Sequence, residues 1–266
     1  MIAQILCIGV SDSSAGTGIQ ADIKTIQAFG AYAATVVTAV SVQNTQNVYD
    51  VFPIPAMVVR QQIGAVMDDM KPTVIKSGML CDESIINAVG DFLDGHKTEH
   101  LRVVIDPVMT SRIGKMLLDK PARDALKRRM MIYADIITPN LREAEYLTGL
   151  AVNDIDSMKH AAEMLQTLGA STVIIKGGSL EMDKVYNVLA DDKGIEIYEQ
   201  PRINSKATHG AGTTLSAGIA AGIAQGLPIR TAFENAQDFL TNAIINAEQV
   251  GGGYGPVNHN FRVKAA

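Results

Sequence analysis

The stretch THGAGTT, residues 208–214, runs straight into an apolar segment that begins at Leu215. A glycine-rich turn at a helix start aims unpaired backbone N–H groups outward, and the helix dipole adds partial positive charge, so an anion is favoured there. Gly218 and Gly222 in the following segment fit a second reading, in which the glycines serve close helix packing. Lys176 closes the apolar run Val173-Ile174-Ile175 and precedes Gly177-Gly178, where it reads either as a point charge for phosphate or as a solvated strand end. Asn140 and Glu143 have the spacing of a capping box, which explains them without a ligand. The same Glu143 is also suited to hydrated Mg²⁺, a cation that keeps several waters and takes one or two carboxylates. Asp22 falls within the stripe made by Ile19, Ile23 and Ile26, so it must be paired or face a ligand. Gln43, at the end of an apolar run, poses the same question with an amide.

Residues 16–21 also fit G-x-G-x-x-A, the dinucleotide-binding fingerprint. The turn before them is too long, and Val42-Gln43-Asn44-Thr45 stands where an acidic residue should end the second strand, so a nicotinamide enzyme is disfavoured. No G-x-x-x-x-G-K-[ST] segment is present. The five histidines lack metal-ligand spacing, and two cysteines are too few for a disulfide framework. Unpaired cysteines suit a reducing, cytoplasmic setting.

These residues need elements to hold them. Apolar, β-branched runs at residues 5–10, 34–42, 73–79, 102–108, 135–138 and 172–176 have the pattern of strands buried on both faces. Amphipathic stretches at residues 19–29, 57–70, 83–93 and 121–131 alternate with them, which predicts a mostly parallel sheet covered by helices on both sides. Residues 184–190 and 194–200 read as an antiparallel edge hairpin. In the last helix Phe233, Ala236, Leu240, Ala243, Ile244 and Ala247 form one apolar stripe. Neither a repeat nor a linker interrupts residues 1–266, which predicts one domain. Ligands of such sheets sit beyond the carboxyl ends of the strands. That places residues 11–18, 43–45, 77–79, 106–109, 138–143, 176–178 and 208–214 at the expected site.

Composition closes off other classes. With 266 residues, 47% hydrophobic, 19% charged and a net charge of −5, the chain has ample material for a core and no basic footprint for nucleic acid. The amino terminus lacks a signal-peptide pattern, and the apolar segment from Leu215 is too short to span a membrane.

Eight segments together resemble the hydroxymethylpyrimidine/phosphomethylpyrimidine kinase family of the ribokinase-like superfamily, over nearly the whole chain. They are GVSDSSAGTGIQADIKT, VQNTQ, IKSGML, IDPVM, ITPNLREAE, IIKGG, THGAGTTLSA and GYGPVNH, in that order. The resemblance implies a ribokinase-like three-layer α/β sandwich with a mostly parallel central sheet and an antiparallel edge hairpin. It implies that ATP phosphorylates a hydroxymethylpyrimidine and then its monophosphate. By that resemblance the N–H groups of Gly210, Ala211 and Gly212 form the anion hole, and Lys176 and Thr208 join them on nucleotide phosphate. Asn140, Glu143 and Asp106 would organise Mg²⁺ and its waters. Asp22 and Gln43 would bond the pyrimidine, with Met79 and Val108 packing on its faces. A homodimer is expected on the same ground.

Three departures stand out. Thr213 replaces the family's cysteine at the position acting on the acceptor hydroxyl, Thr17 replaces an alanine lining the pyrimidine pocket, and Arg112-Ile113 replaces Lys-Ser. A neutral hydroxyl is a poor base, so a slower enzyme is expected rather than an inactive one, because phosphoryl transfer depends mainly on positioning and charge. A pyridoxal-type vitamin B6 kinase or a weakened ligand-binding paralogue remain the alternatives.

Overall fold

The computed structural model describes residues 2–112 and 114–263, so Ile113 lies outside the described residues. The elements run β1 (Gln4–Asp12), α1 (Gly18–Ala28), β2 (Tyr32–Gln43), β3 (Val48–Pro53), α2 (Ala56–Asp69), β4 (Val74–Ser77), α3 (Glu83–His96) and β5 (Arg102–Ile105). They continue with α4 (Lys120–Met130), β6 (Ile136–Ile137), α5 (Leu141–Thr148), α6 (Ile155–Thr167), β7 (Thr172–Lys176), β8 (Lys184–Asp191), β9 (Gly194–Pro201), α7 (Ala211–Ala224) and α8 (Ile229–Ile245).

Alternation of side chains across each strand explains why apolar runs were needed. In β1, Leu6, Ile8 and Val10 enter a core shared with α2 to α6, while Ile5 and Cys7 enter a second core with α1, α7 and α8. β4, β5 and β7 divide in the same way, with Ile75, Val103 and Val173 on one side and Val74, Val104 and Ile174 on the other. A strand sandwiched so has no wet face, and a polar residue within it needs a buried partner.

The strand order is β3-β2-β1-β4-β5-β6-β7-β8-β9, parallel from β2 through β7. The predicted hairpin is β8–β9, antiparallel at one edge. A second antiparallel edge, β3 on β2, escaped the sequence reading. β3 ends at Pro53 and is largely exposed, so it carries little apolar periodicity. The far end of β2 corrects the expectation of burial on both faces, since Val40 and Val42 are exposed there. The central strands are also shorter than the apolar runs: residues 78–79, 106–108 and 138 continue past the sheet, and Gly78, Asp106 and Thr138 donate backbone bonds to Ile8, Ser77 and Ile105.

Two helices differ in detail from their expected stripes. In α1 the buried residues are Ile19, Ala21, Asp22, Thr25 and Ile26, whereas Ile23 is 38% exposed. α8 ends at Ile245, so Ala247 lies beyond it, and Leu240 is only partly covered. α7 is buried along most of its length because α8 crosses it at its glycines. A Cβ on Gly218 would lie 2.9 Å from that of Ala236, and one on Gly222 would lie 2.7 Å from that of Ala232. Among the described residues no helix is long and apolar enough to cross a membrane.

Gly222→Ala should therefore destabilise the protein although alanine is the better helix former. Overpacking costs about 1–3 kcal/mol against a propensity gain of about 1 kcal/mol. Denaturant unfolding should show a lower midpoint; an equal or higher midpoint would mean the α7–α8 contact is loose.

Candidate active site

A cavity of about 1090 Å³ opens along the carboxyl ends of the parallel strands. It is lined by Thr17, Asp22, Gln43, Met79 and Val108 at β1, β2, β4 and β5, then by Asp106, Asn140, Glu143 and Lys176, and by Thr208 and residues 210–213 of the glycine-rich turn. These candidate catalytic, substrate, nucleotide and metal residues thus border one space. Past β7 the lining continues with Asn187 of β8, residues 200–205 at the end of β9 and just beyond it, and Leu240, Thr241 and Ile244 of α8, which the sequence reading had not assigned.

Asp106 is the centre of the charged part. It is 1% exposed and accepts bonds from Lys176 Nζ at 2.7 Å, Thr138 Oγ1 at 3.2 Å and Ser216 Oγ at 3.2 Å. Burial works against its charge, yet Lys176 and Lys76 hold its carboxyl below the usual range. Lys176 also lies 4.0 Å from Glu143 Oε2, and a Cβ on Gly212 would sit 3.2 Å from Lys176 Nζ. The lysine therefore stands between two carboxylates and the start of α7.

Glu143 fills the capping role expected of it. Its Oε2 accepts from Asn140 N–H at 2.8 Å while Asn140 Oδ1 accepts from Glu143 N–H at 3.0 Å, a complete capping box on α5. It also faces the cavity, and burial, with Asp106 adding repulsion, pushes its carboxyl up to about 7 despite Lys176.

Asp22 is buried as expected, and its partner is Lys76, a residue the sequence reading passed over inside an apolar strand. Lys76 Nζ lies 2.8 Å from Asp22 Oδ1 and both side chains are 1% exposed. Burial raises Asp22 to about 6, whereas Asp22 and Asp106 raise Lys76 against its own burial. A buried pair of this kind leaves a charge uncompensated if either member is removed, at about 3–5 kcal/mol. Counted together, Asp22, Asp106 and Glu143 outnumber Lys76 and Lys176 by one carboxylate.

The glycine-rich turn opens α7 as expected, with one correction. Gly210 caps the helix at φ 79°, and any Cβ there would overlap Gly16 O. Ala211 N–H donates to Thr208 O at 3.2 Å, so it is not free for an anion. Among the described residues the N–H groups of Gly210, Gly212 and Thr213 have no partner. The turn is clamped from two directions. His209 Nε2 is 3.3 Å from Asp12 Oδ2, and Asp12 also accepts from the N–H groups of Ser14, Gly16 and Thr17. Though burial opposes it, His209 and these N–H groups hold Asp12 well below the usual carboxylate range. From the other side His209 N–H donates to Gly255 O, and Thr214 Oγ1 shares a 2.9 Å bond with buried His259. Asp12 and His209 fall in two of the expected site segments, but their pairing is not legible in the sequence, because a contact 197 positions apart has no local pattern.

The departures meet at the turn. Thr17 borders the cavity, and its Oγ1 lies 2.9 Å from Thr213 Oγ1. Arg112 Nε donates to Thr208 Oγ1 at 3.1 Å, and its guanidinium stacks on Tyr254 at 4.7 Å. Gln43 is half-buried at the rim, its backbone exchanging bonds with Ser13 Oγ.

Comparison with known proteins adds independent findings. Residues 12–258 match a family model described as phosphomethylpyrimidine kinase. A hydroxymethylpyrimidine/phosphomethylpyrimidine kinase of Haemophilus influenzae is 42% identical over 263 residues, covering 97% of each chain. Among solved structures, an ADP complex of Bacillus subtilis pyridoxal kinase superposes with a TM-score of 0.92 at 34% identity, covering 99% of this chain and 100% of that one. A phosphomethylpyrimidine kinase of Clostridium difficile gives 0.81 at 35% identity, covering 91% and 99%.

His259 supplies a pH test of the clamp. Burial, helped by Lys24, lowers its pKa from 6.5 to about 4, so the folded chain holds it neutral while the unfolded chain takes up a proton. Stability from this group is complete above pH 6.5 and is lost as pH falls toward 4. His259→Gln should flatten that part of the stability profile measured by denaturant unfolding between pH 7 and 4; an unchanged slope would remove His259 from the account.

Proposed function

The chain belongs to the phosphomethylpyrimidine kinase family, and from that membership we propose that it transfers the γ-phosphate of ATP to the hydroxymethyl group of 4-amino-5-hydroxymethyl-2-methylpyrimidine, and in a second turnover to the monophosphate, within thiamine biosynthesis. The observation that carries the reading is the seating of Lys176 against Gly212 and Asp106, which sets one ammonium beside a helix start whose Gly212 and Thr213 N–H groups have no partner among the described residues. Three donors held in place before the reaction suit a phosphoryl group whose charge spreads over its oxygens.

The sheet order supports the division of labour. Thr17, Asp22, Gln43, Met79 and Val108 stand at β2, β1, β4 and β5 and suit the pyrimidine, with Asp22 and Gln43 for its polar edge. Gly210, Gly212, Lys176 and Thr208 suit nucleotide phosphates beside β7. The cavity exceeds the ~300–1000 Å³ typical of a single small-ligand site, leaving room for both reactants.

A divalent cation fits the donor set. Among the described residues no cluster of three or more His, Cys, Asp or Glu side chains holds a metal unaided, so the cation would have to keep water and phosphate ligands, as Mg²⁺ does. The surplus carboxylate, with Glu143 raised to about 7, is the charge it would balance. Glu143, Asp106 and Asn140 would hold it through its waters, and when bound it would neutralise charge on the β- and γ-phosphates.

The remaining assignments are part of the same proposal. Residues 1–266 act as one kinase domain, the two unpaired cysteines suit the cytoplasm, and Val40, Val42, Tyr49 and Phe52 on the exposed face of β2 and β3 are where a second copy would pack. A vitamin B6-type kinase is the second reading, favoured by the 0.92 superposition on a pyridoxal kinase.

A panel of hydroxymethylpyrimidine, its monophosphate and B6 vitamers, with ATP consumption as readout, separates these readings. Turnover on the pyrimidines is expected; turnover on B6 vitamers alone would select the second reading, and none on any acceptor would select a ligand-binding paralogue. Thr213→Cys should raise kcat, by about tenfold near pH 8, because a partly ionised thiol supplies the base that threonine lacks. An unchanged or lower rate would show that base help comes from elsewhere. Sedimentation velocity should give twice the chain mass, and a monomer at tens of micromolar would withdraw the dimer.

A further inference from the structure

Thr17 is the N-cap of α1, a position where a threonine hydroxyl ordinarily accepts from an N–H in the first turn. Here it makes no cap bond. Its Oγ1 turns instead to Thr213 Oγ1 at 2.9 Å, across 196 positions of chain. The alignment is enforced from both sides. Asp12 Oδ2 accepts from Thr17 N–H at 2.8 Å and Gly16 N–H at 2.9 Å, and lies 3.3 Å from His209 Nε2 in the glycine-rich turn. Gly210 packs so closely on this loop that a Cβ there would be 3.2 Å from Thr17 Cα. One buried carboxylate thus fixes the backbone under both threonines.

A threonine cannot take a proton near neutral pH, so Thr213 contributes only what a neutral hydroxyl can. Its useful property is a lone pair that accepts the O–H of the acceptor and aims the acceptor oxygen at phosphorus. A freely rotating hydroxyl can equally present its proton, which opposes that alignment. Resting on the kinase reading above, we infer that Thr17 is a positioning residue: it accepts the Thr213 proton in a hydrogen bond and so keeps the Thr213 lone pair turned toward the acceptor hydroxyl. In the step itself the acceptor oxygen bonds to the γ-phosphorus as the bond to the β–γ bridging oxygen breaks. The acceptor's proton leaves late to the transferred phosphoryl group, and neither threonine is ionised. The two departures are then one compensated pair, a hydroxyl at 17 supporting a hydroxyl at 213.

Two measurements decide it. The first needs no turnover: in Thr213→Cys, alkylation of residue 213 is followed against pH by mass spectrometry of its peptide, with and without Thr17→Val. A hydroxyl donating to the thiolate favours the charged form, so the midpoint should rise by about half to one pH unit when it is removed. Coincident profiles would show no contact and overturn the inference. The second is kinetic. Thr17→Val should lower kcat about fivefold with KM nearly unchanged, the scale of one hydrogen bond. Thr17→Ser should keep the rate, and at a pH above both alkylation midpoints the cost of Thr17→Val should shrink below about twofold in the Thr213→Cys background, since a thiolate needs no partner to hold its proton. Equal losses in both backgrounds, a change confined to KM, or failure of Thr17→Ser would make Thr17 a pocket wall only. Absence of wild-type turnover would defeat the kinase reading, and the alkylation profiles would still decide the contact.

Discussion

The buried carboxylate of Asp106 is the interaction on which the site depends. It receives Lys176 from β7, Ser216 from α7 and Thr138 from the end of β6, while itself following β5. A carboxylate with 1% exposure has lost nearly all its water, and only bonds of this number and charge offset that loss. The requirement works in both directions. The elements must meet at one point to satisfy Asp106, and once they do, Lys176 is fixed beside the glycine-rich turn with little freedom left to lose on meeting an anion.

The same logic extends to either side. Toward β4, Lys76 lies under the field of Asp106 and bonds Asp22; toward α5, Glu143 lies 4.0 Å from Lys176. Signs alternate from Asp22 through Lys76, Asp106 and Lys176 to Glu143, ending with one negative charge more than the lysines balance. Such an arrangement is stable only on a rigid floor, which the doubly covered sheet provides. The turn above it is clamped separately, by Asp12 through His209 and by the C-terminal segment through Gly255 and His259. Neither clamp draws on Asp22, Lys76, Asp106, Lys176 or Glu143.

Much of this was legible in the sequence, for local reasons. Strand alternation, the capping box at Asn140 and Glu143, the glycine-rich helix start and the buried Asp22 each leave a pattern within a few residues. What was missed is non-local. Lys76 reads as an accident in an apolar strand until Asp22 is found opposite it, and the Asp12–His209 contact joins the two ends of the chain. Ile23 followed the helical period but lay at the stripe's edge, where the sheet does not reach. The engagement of Ala211 N–H by Thr208 is a matter of turn geometry, invisible to residue type. The bond between Thr17 and Thr213 shows the same limit: two departures recognised separately gain a joint meaning only when their hydroxyls are seen facing each other.

The central claim is that Lys176, held by Asp106 at the start of α7, forms the phosphate end of the cavity. Calorimetric binding of a non-hydrolysable ATP analogue and of hydroxymethylpyrimidine to the wild type and to Lys176→Gln tests it most directly, since glutamine keeps a hydrogen-bond donor but carries no charge. The account predicts that analogue affinity falls at least about tenfold, the worth of one charge-assisted bond, while pyrimidine affinity stays within about twofold. Unchanged analogue affinity in a folded Lys176→Gln protein would contradict it.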